Sequence, residues 1–285
     1  MKYGVIDVGS NSVRLLISEN GKSLKKFINT TRLAEGKKDG LLDTQSSLRT
    51  LKAIKDFVRI ARENGADKIY IFATAAVRSA KNRAEFADAV KKECGFDLDV
   101  VSGETEAELG VIGALNGKDG AVLDIGGGST EIAVRKNGKC VYTKSIPIGA
   151  VVLTQKFGQN AGKILEYAKT AVKDFGNVPK ADFYCIGGTC TSLAAVSLKL
   201  AEYDPERVNG YKFTPAAIFA LVSTISELAV DERKNLVGLQ KERADIIHAG
   251  ACIFQAVAEY VGADLFTVSE SDNLEGYLTY ITEKK

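Results

Sequence analysis

One feature limits the folds open to this chain more than any other: it carries the same short pattern twice. Asp7-Val8-Gly9-Ser10-Asn11-Ser12 and Asp124-Ile125-Gly126-Gly127-Gly128-Ser129 share a layout 117 residues apart. In each, an apolar run ends on a carboxylate and turns through glycine and small polar side chains. The likeness continues past the turn, because Asn20-Gly21 follows Asp7 by 13 residues and Asn137-Gly138 follows Asp124 by 13. Asn-Gly between β-rich runs is the strongest short-range hairpin signal, and the runs here are 13–18 with 23–28, and 131–135 with 140–144. Two copies of a three-stranded antiparallel meander are therefore expected. A strand that turns on glycine leaves backbone N–H groups free to meet an anion. An aspartate at the lip would repel a bare phosphate, so the pairing makes sense with Mg²⁺ between them. A lone glycine-rich turn is more often a plain β-turn; the duplication is what points to a ligand.

Composition narrows the function classes. No run approaches about 18 apolar residues, so no membrane span is expected. Residues 1–7 run straight into strand-like sequence with no signal-peptide pattern, which makes the cytoplasm the expected compartment. A net charge of +2 argues against a nucleic-acid binder that works by bulk charge. Cys94, Cys140, Cys185, Cys190 and Cys252 are odd in number and scattered among apolar neighbours, which suggests reduced, mostly buried thiols. His248 is the only histidine and sits in an apolar helical stretch, so it reads as a packed residue. Any hydrolysis here must therefore rely on carboxylates and metal.

In chain order, the first meander is followed by a helix over 44–64, a buried strand over 68–73 ending at Thr74, and Arg78 in a loop. A helix over 82–94, a strand over 98–101 and a helix from 102 to 115 that carries Glu106 come next. Residues 116–120, Asn-Gly-Lys-Asp-Gly, form the expected linker and hinge between domains 1–117 and 118–285. The second half runs from its meander into helices at 150–158 and 161–175 and a strand over 182–186. The turn Gly187-Gly188-Thr189 then leads to a helix over 191–201. Helices at 215–229 and 241–261, a strand at 265–268 and a last helix, about 272–283, complete the chain; that helix is free to pack back on the first domain. The result is an α/β protein of two related domains. Its ligand cleft should lie at the strand ends marked by Asp7, Thr74, Asp124 and Gly187.

Several stretches resemble the exopolyphosphatase/guanosine-pentaphosphate phosphohydrolase family of the actin-like ATPase superfamily. They are Asp7-Val-Gly-Ser-Asn-Ser-Val-Arg14, Ala73-Thr-Ala-Ala-Val-Arg78, Ser102-Gly-Glu-Thr-Glu-Ala107, Leu123-Asp-Ile-Gly-Gly-Gly-Ser-Thr-Glu131 and Ile186-Gly-Gly-Thr189. The resemblance implies two ribonuclease-H-like domains with a duplicated βββαβα core and an interdomain cleft. It also implies Mg²⁺-dependent removal of a terminal phosphate from polyphosphate or pppGpp, with Mn²⁺ as the alternative ion, by a homodimer. Carried over residue by residue, Glu106 matches the catalytic glutamate, and Asp124 and Glu131 match carboxylates near metal and water. Ser10, Asn11 and Ser12, with Gly126, Gly127, Gly128, Ser129 and Thr130, match the phosphate cradles; Thr74, Gly188 and Thr189 complete the expected phosphate contacts.

Chemistry assigns matching roles. Phosphoryl transfer to water needs positioning, charge neutralisation and a group that takes the water's proton. Asp7 and Asp124, on facing turns, would hold Mg²⁺ through water; Arg78 would neutralise phosphate, and Glu106 would act as base, its pKa raised by nearby phosphate. Glu108 stands where many members carry arginine, and residues 268–276 replace a typically basic stretch. Longer members add C-terminal helical domains associated with processivity on long polyphosphate, so activity that favours short chains or a nucleotide, or that is reduced, is expected. Two other readings stay open: an ATP-dependent phosphotransferase, and a non-catalytic polyphosphate or alarmone sensor.

Overall fold

The computed structural model describes residues 1–283. Its first half contains β1 (Lys2–Val8), β2 (Ser12–Glu19), β3 (Lys22–Thr30), α1 (Thr44–Glu63), β4 (Lys68–Ala73), α2 (Ala75–Arg78), α3 (Arg83–Cys94), β5 (Leu98–Val100) and α4 (Gly103–Leu115). Its second half starts with β6 (Gly120–Ile125), β7 (Thr130–Lys136), β8 (Lys139–Ile146), α5 (Ala150–Phe157), α6 (Ala161–Ala171), β9 (Phe183–Ile186) and α7 (Gly187–Ser197). After these come α8 (Pro205–Val208), β10 (Lys212–Phe213), α9 (Pro215–Glu227), α10 (Val230–Arg233), α11 (Ile247–Val261), β11 (Phe266–Val268) and α12 (Asn273–Glu283).

The strands form two mixed sheets with one plan. The first has order β3-β2-β1-β4-β5; the second runs β10-β11-β9-β6-β7-β8, the same order with β10 added at an edge. This is the expected α/β class with a duplicated core. The duplication extends to fine detail. Gly9 N donates to Ser12 O at 3.1 Å, and Gly126 N donates to Ser129 O at 3.0 Å. Asn20-Gly21 and Asn137-Gly138 both take positive φ at each residue, 51° and 77° against 51° and 73°. That is the backbone a two-residue hairpin turn demands. Even the register irregularity recurs, at Ile17/Ser18 in one meander and Val134/Arg135 in the other.

Helix α4 is the central element. Leu109 packs with Val5, Leu16 and Phe72 of the first sheet. Ala107, Val111 and Leu115 pack with Val122, Ala133 and Ile186 of the second. Most of α4 is buried, with Glu104 and Glu108 exposed near its start, and the helix lies between the sheets. Helix α12 shares that layer: Leu274, Tyr277 and Leu278 join the first sheet's cluster, with Tyr277 stacked on Phe72 at 4.4 Å. Burying rings and side chains of this size contributes about 2 kcal/mol each. Glycines let the two helices touch. A Cβ at Gly113 would strike the Asp272 carbonyl, and one at Gly276 would strike the Leu109 carbonyl.

Some local expectations shift. Arg78 ends a one-turn helix instead of lying in a loop. Helix α7 begins at Gly187, because φ of +81° there turns the chain straight out of β9. The helix expected over 241–261 breaks into a short 3₁₀ turn, Lys241–Arg243, followed by α11. The Ala244 carbonyl at the break accepts from buried Arg233.

Candidate active site

The two turns face each other across a cleft of about 550 Å³. Added Cβ atoms report how close they lie: one on Gly127 would sit 3.1 Å from Ser10 Cβ, and one on Gly128 would sit 2.5 Å from Ser10 Oγ. Carbonyls of the second turn point away from the cleft, since Gly126 O accepts from Ala150 N and Gly127 O from Val151 N at the start of α5, each at 3.0 Å. Among the described residues, the amides of Ser10, Asn11, Gly127 and Gly128 donate to no backbone carbonyl. N–H groups arranged this way form an anion cradle.

Pairing across the meanders places charge beside the cradles. In the register, Asp7 lies opposite Arg14 and Asp124 lies opposite Glu131. The first copy therefore carries a guanidinium where the second carries a carboxylate. Arg14 Nη2 donates to Asp7 Oδ2 at 2.6 Å, and its Nη1 reaches Asp272 at the entrance to α12. Asp124 Oδ2 accepts from Asn273 Nδ2 at 2.9 Å. Burial pushes Asp7 above the usual carboxylate range against the pull of Arg14. Burial likewise lifts Asp124 to about 6. For Asp272 burial acts upward too, but Arg14 and Lys26 together outweigh it and hold the group below its ordinary value.

Glu106 enters from the first turn of α4, which Ser102 caps by accepting from Thr105 N. It is 7% exposed and lines the cleft. Arg78 Nη1 donates to its Oε2 at 2.6 Å and to the Val101 carbonyl at 3.2 Å. Burial lifts Glu106 to about 7, with Arg78 opposing and Asp124 and Asp7 adding to the rise. Such a group is poised to exchange a proton at neutral pH. Glu131 lies deeper. Ser145 Oγ donates to its Oε1 at 2.7 Å, and burial followed by repulsion from Glu106 and Asp124 holds it well above the normal range.

Of the residues singled out in the sequence, Asp7, Ser10, Asn11, Ser12, Thr74, Glu106, Asp124, Gly126, Gly127, Gly128, Ser129, Gly188 and Thr189 all line the cleft. Arg78 stands behind Glu106 and is engaged by it. The Thr130 hydroxyl donates to Ile148 O at 2.7 Å, and that of Thr189 to Ile125 O at 2.9 Å, so both hydroxyls brace backbone. Sequence reasoning assigned no role to Arg14, Asp272, Asn273 or Arg243. Arg14 was recoverable by laying one meander on the other; the rest had no local signal. Arg243 lines the cleft against Gly188, where a Cβ would overlap its guanidinium. Burial first, then Arg14, lowers Arg243 to about 10. It remains a cation at neutral pH, and among the described residues it makes no ion pair with a carboxylate.

Among the described residues no three His, Cys, Asp or Glu side chains converge into a ready-made metal cluster. Mg²⁺ does not need one, since it keeps several waters and is held by one or two carboxylates. The fit rests on buried oxygens: among the described residues, Asp7 Oδ1, Glu131 Oε2 and Asn273 Oδ1 find no hydrogen-bond partner. Desolvated oxygens are costly unless a donor or a cation meets them. The residues present fit a hard divalent cation.

The family model of the Ppx/GppA phosphatases matches residues 16–284. The chain belongs to that family. The Ppx/GppA phosphatases it resembles include exopolyphosphatase 2 of Mycobacterium tuberculosis, 29% identical over 96% of this chain and 97% of the relative. A bifunctional 3-dehydroquinate synthase/phosphatase of Fusobacterium nucleatum is 30% identical over 98% of this chain, which spans 46% of that longer protein. The crystal structure of the Aquifex aeolicus Ppx/GppA family member superposes with a TM-score of 0.82 at 30% identity, covering 100% of this chain and 98% of that one.

Proposed function

We propose that the chain is a Mg²⁺-dependent phosphohydrolase that removes the terminal phosphate from inorganic polyphosphate, and from pppGpp where that nucleotide is offered. The observation that carries this reading is Glu106: a buried carboxylate, lifted to about 7, on the wall of a cleft that opens between two matching anion cradles. The two halves, 1–117 and 118–285, act as jaws.

The terminal phosphate lies against the free amides of Ser10, Asn11, Gly127 and Gly128. Arg243 contributes positive charge farther along the chain of phosphates. Asp7 and Asp124 would hold Mg²⁺, or Mn²⁺ in its place, with Glu131 and Asn273 close behind; the ion would neutralise phosphate charge. Glu106 takes a proton from a water as that water's oxygen bonds to phosphorus. The bridging P–O bond breaks, its electron pair stays on the shortened chain, and orthophosphate leaves. Glu106 then returns its proton to solvent. Arg78 fixes the orientation of Glu106 and keeps its pKa from climbing further.

Phosphate release from tripolyphosphate, long-chain polyphosphate, pppGpp and ATP, each with and without Mg²⁺, tests this. Metal-dependent release from the polyphosphates is expected. Transfer of phosphate to an acceptor would favour a phosphotransferase, and tight binding without turnover would favour a sensor.

A further inference from the structure

One wall of the cleft has two of its cations, Arg14 and Lys26, already paired with carboxylates. After β11 the chain crosses from the second sheet to the β2–β3 hairpin of the first, carrying Glu270, Asp272 and Glu275 with it. Asp272 pairs with Arg14. Glu275 Oε1 lies 2.9 Å from Lys26 Nζ and accepts from Ser23 Oγ at 2.8 Å. Lys26 Nζ also donates to the Glu270 carbonyl at 2.5 Å, while the Glu270 carboxylate accepts from the Tyr203 hydroxyl. All of these residues line the cleft. On this wall Asp7, Glu270, Asp272 and Glu275 lie with Arg14 and Lys26; Lys25 also lines the cleft, its Nζ 3.5 Å from Asn64 Oδ1, and among the described residues Arg243 makes no ion pair.

We propose that the segment 270–275 is a built-in competitor for the polyanion, so that the site accepts short phosphate chains and disfavours long ones. The inference rests on the phosphohydrolase reading and adds the length of its substrate. A chain end seated between the cradles can extend toward Arg243. A longer chain spreading toward the β2–β3 hairpin must displace Glu275 from Lys26 or lie against Glu270 and Asp272, where like charges repel.

Asp272 and Glu275 also cap α12. Leu274 N donates to Asp272 Oδ1 at 2.9 Å, and Asp272 N donates to Glu275 Oε2 at 3.1 Å. That arrangement is a capping box, which accepts glutamine in place of glutamate. Glu275→Gln therefore removes the charge and keeps the cap, and Glu270→Gln serves as a second variant away from the cap. The experiment is calorimetric binding of tripolyphosphate and of long-chain polyphosphate, per chain, to wild type and to both variants. Glu275→Gln should tighten long-chain binding about tenfold, a shift of roughly 1.4 kcal/mol, and leave tripolyphosphate within about twofold. Glu270→Gln should move in the same direction. An unchanged ratio between the two probes in both variants would overturn the competitor while leaving the phosphohydrolase reading intact. Absence of binding by wild type to either probe would overturn both.

Discussion

Arg78 Nη1 and Glu106 Oε2 stand 2.6 Å apart, in a pair that joins the end of α2 to the first turn of α4. Burial raises the Glu106 pKa and the guanidinium opposes that rise, so the carboxyl settles at about 7. In the proposed mechanism the arginine thus helps set the pH at which Glu106 becomes available as a base.

Phosphate release by wild type should rise with pH through about 7 as Glu106 loses its proton. Arg78→Gln removes the stabilising charge, raises the Glu106 pKa and moves this acid limb upward. A movement of one unit lowers the deprotonated fraction at pH 7, and the rate with it, by about fivefold. A pH–rate profile of both proteins checks this; a variant limb at the wild-type position would separate Arg78 from the base.

His248 is fully buried, its Nε2 facing the Gly158 carbonyl at 3.2 Å. Burial first, then Arg233, lowers its pKa to about 4 from an ordinary 6.5. Above 6.5 both folded and unfolded states hold it neutral, so it imposes no pH dependence there. As pH falls from 6.5 toward 4 the unfolded state binds the proton more readily, and stability drops by up to about 1.4 kcal/mol per pH unit. Urea unfolding at pH 7 and pH 5 should show a smaller loss in His248→Gln than in wild type.

At the α4–α12 contact, Gly276→Ala would drive a methyl into the Leu109 carbonyl. Backbone cannot yield as a side chain can. We expect a loss of about 2 kcal/mol or more, within the range for overpacking. A shift in the urea midpoint measures it, and an unchanged midpoint would mean that the helices slide apart freely.

Gly188→Ala separates binding from folding. Its Cβ would overlap the Arg243 guanidinium, the mobile end of a long side chain. Alanine suits helix α7 better than glycine does, so Tm should hold or rise. Displacing the cation should raise KM for polyphosphate about tenfold, the loss of one charge-assisted contact. An unchanged KM would remove Arg243 from substrate binding.

The sequence was most readable where structure is local. Asn20-Gly21 and Asn137-Gly138 announce their turns because positive φ at both positions suits those residues. The Asp7 and Asp124 turns stood out because they recur at the same distance from those hairpins. Arg14 was hidden in plain view, since it occupies in the first meander the place of Glu131 in the second. Its pairing with Asp272, 258 residues away, depends on where α12 docks, and no local pattern encodes that. Arg78 read as a phosphate ligand because a lone arginine in a loop looks free; its partner lies on another element. The break before α11 was missed because the apolar period continues through it, while the buried Arg233 that claims the Ala244 carbonyl comes from elsewhere in the chain.

Water attack assisted by Glu106 is tested most directly by running tripolyphosphate hydrolysis with Mg²⁺ in ¹⁸O-labelled water. Wild type should release orthophosphate carrying one solvent oxygen. Glu106→Gln should bind tripolyphosphate normally and release labelled phosphate at least about 100-fold more slowly, the contribution of a general base. Labelled phosphate released at equal rates by both proteins would contradict the role of Glu106, and phosphate without label would contradict attack by water.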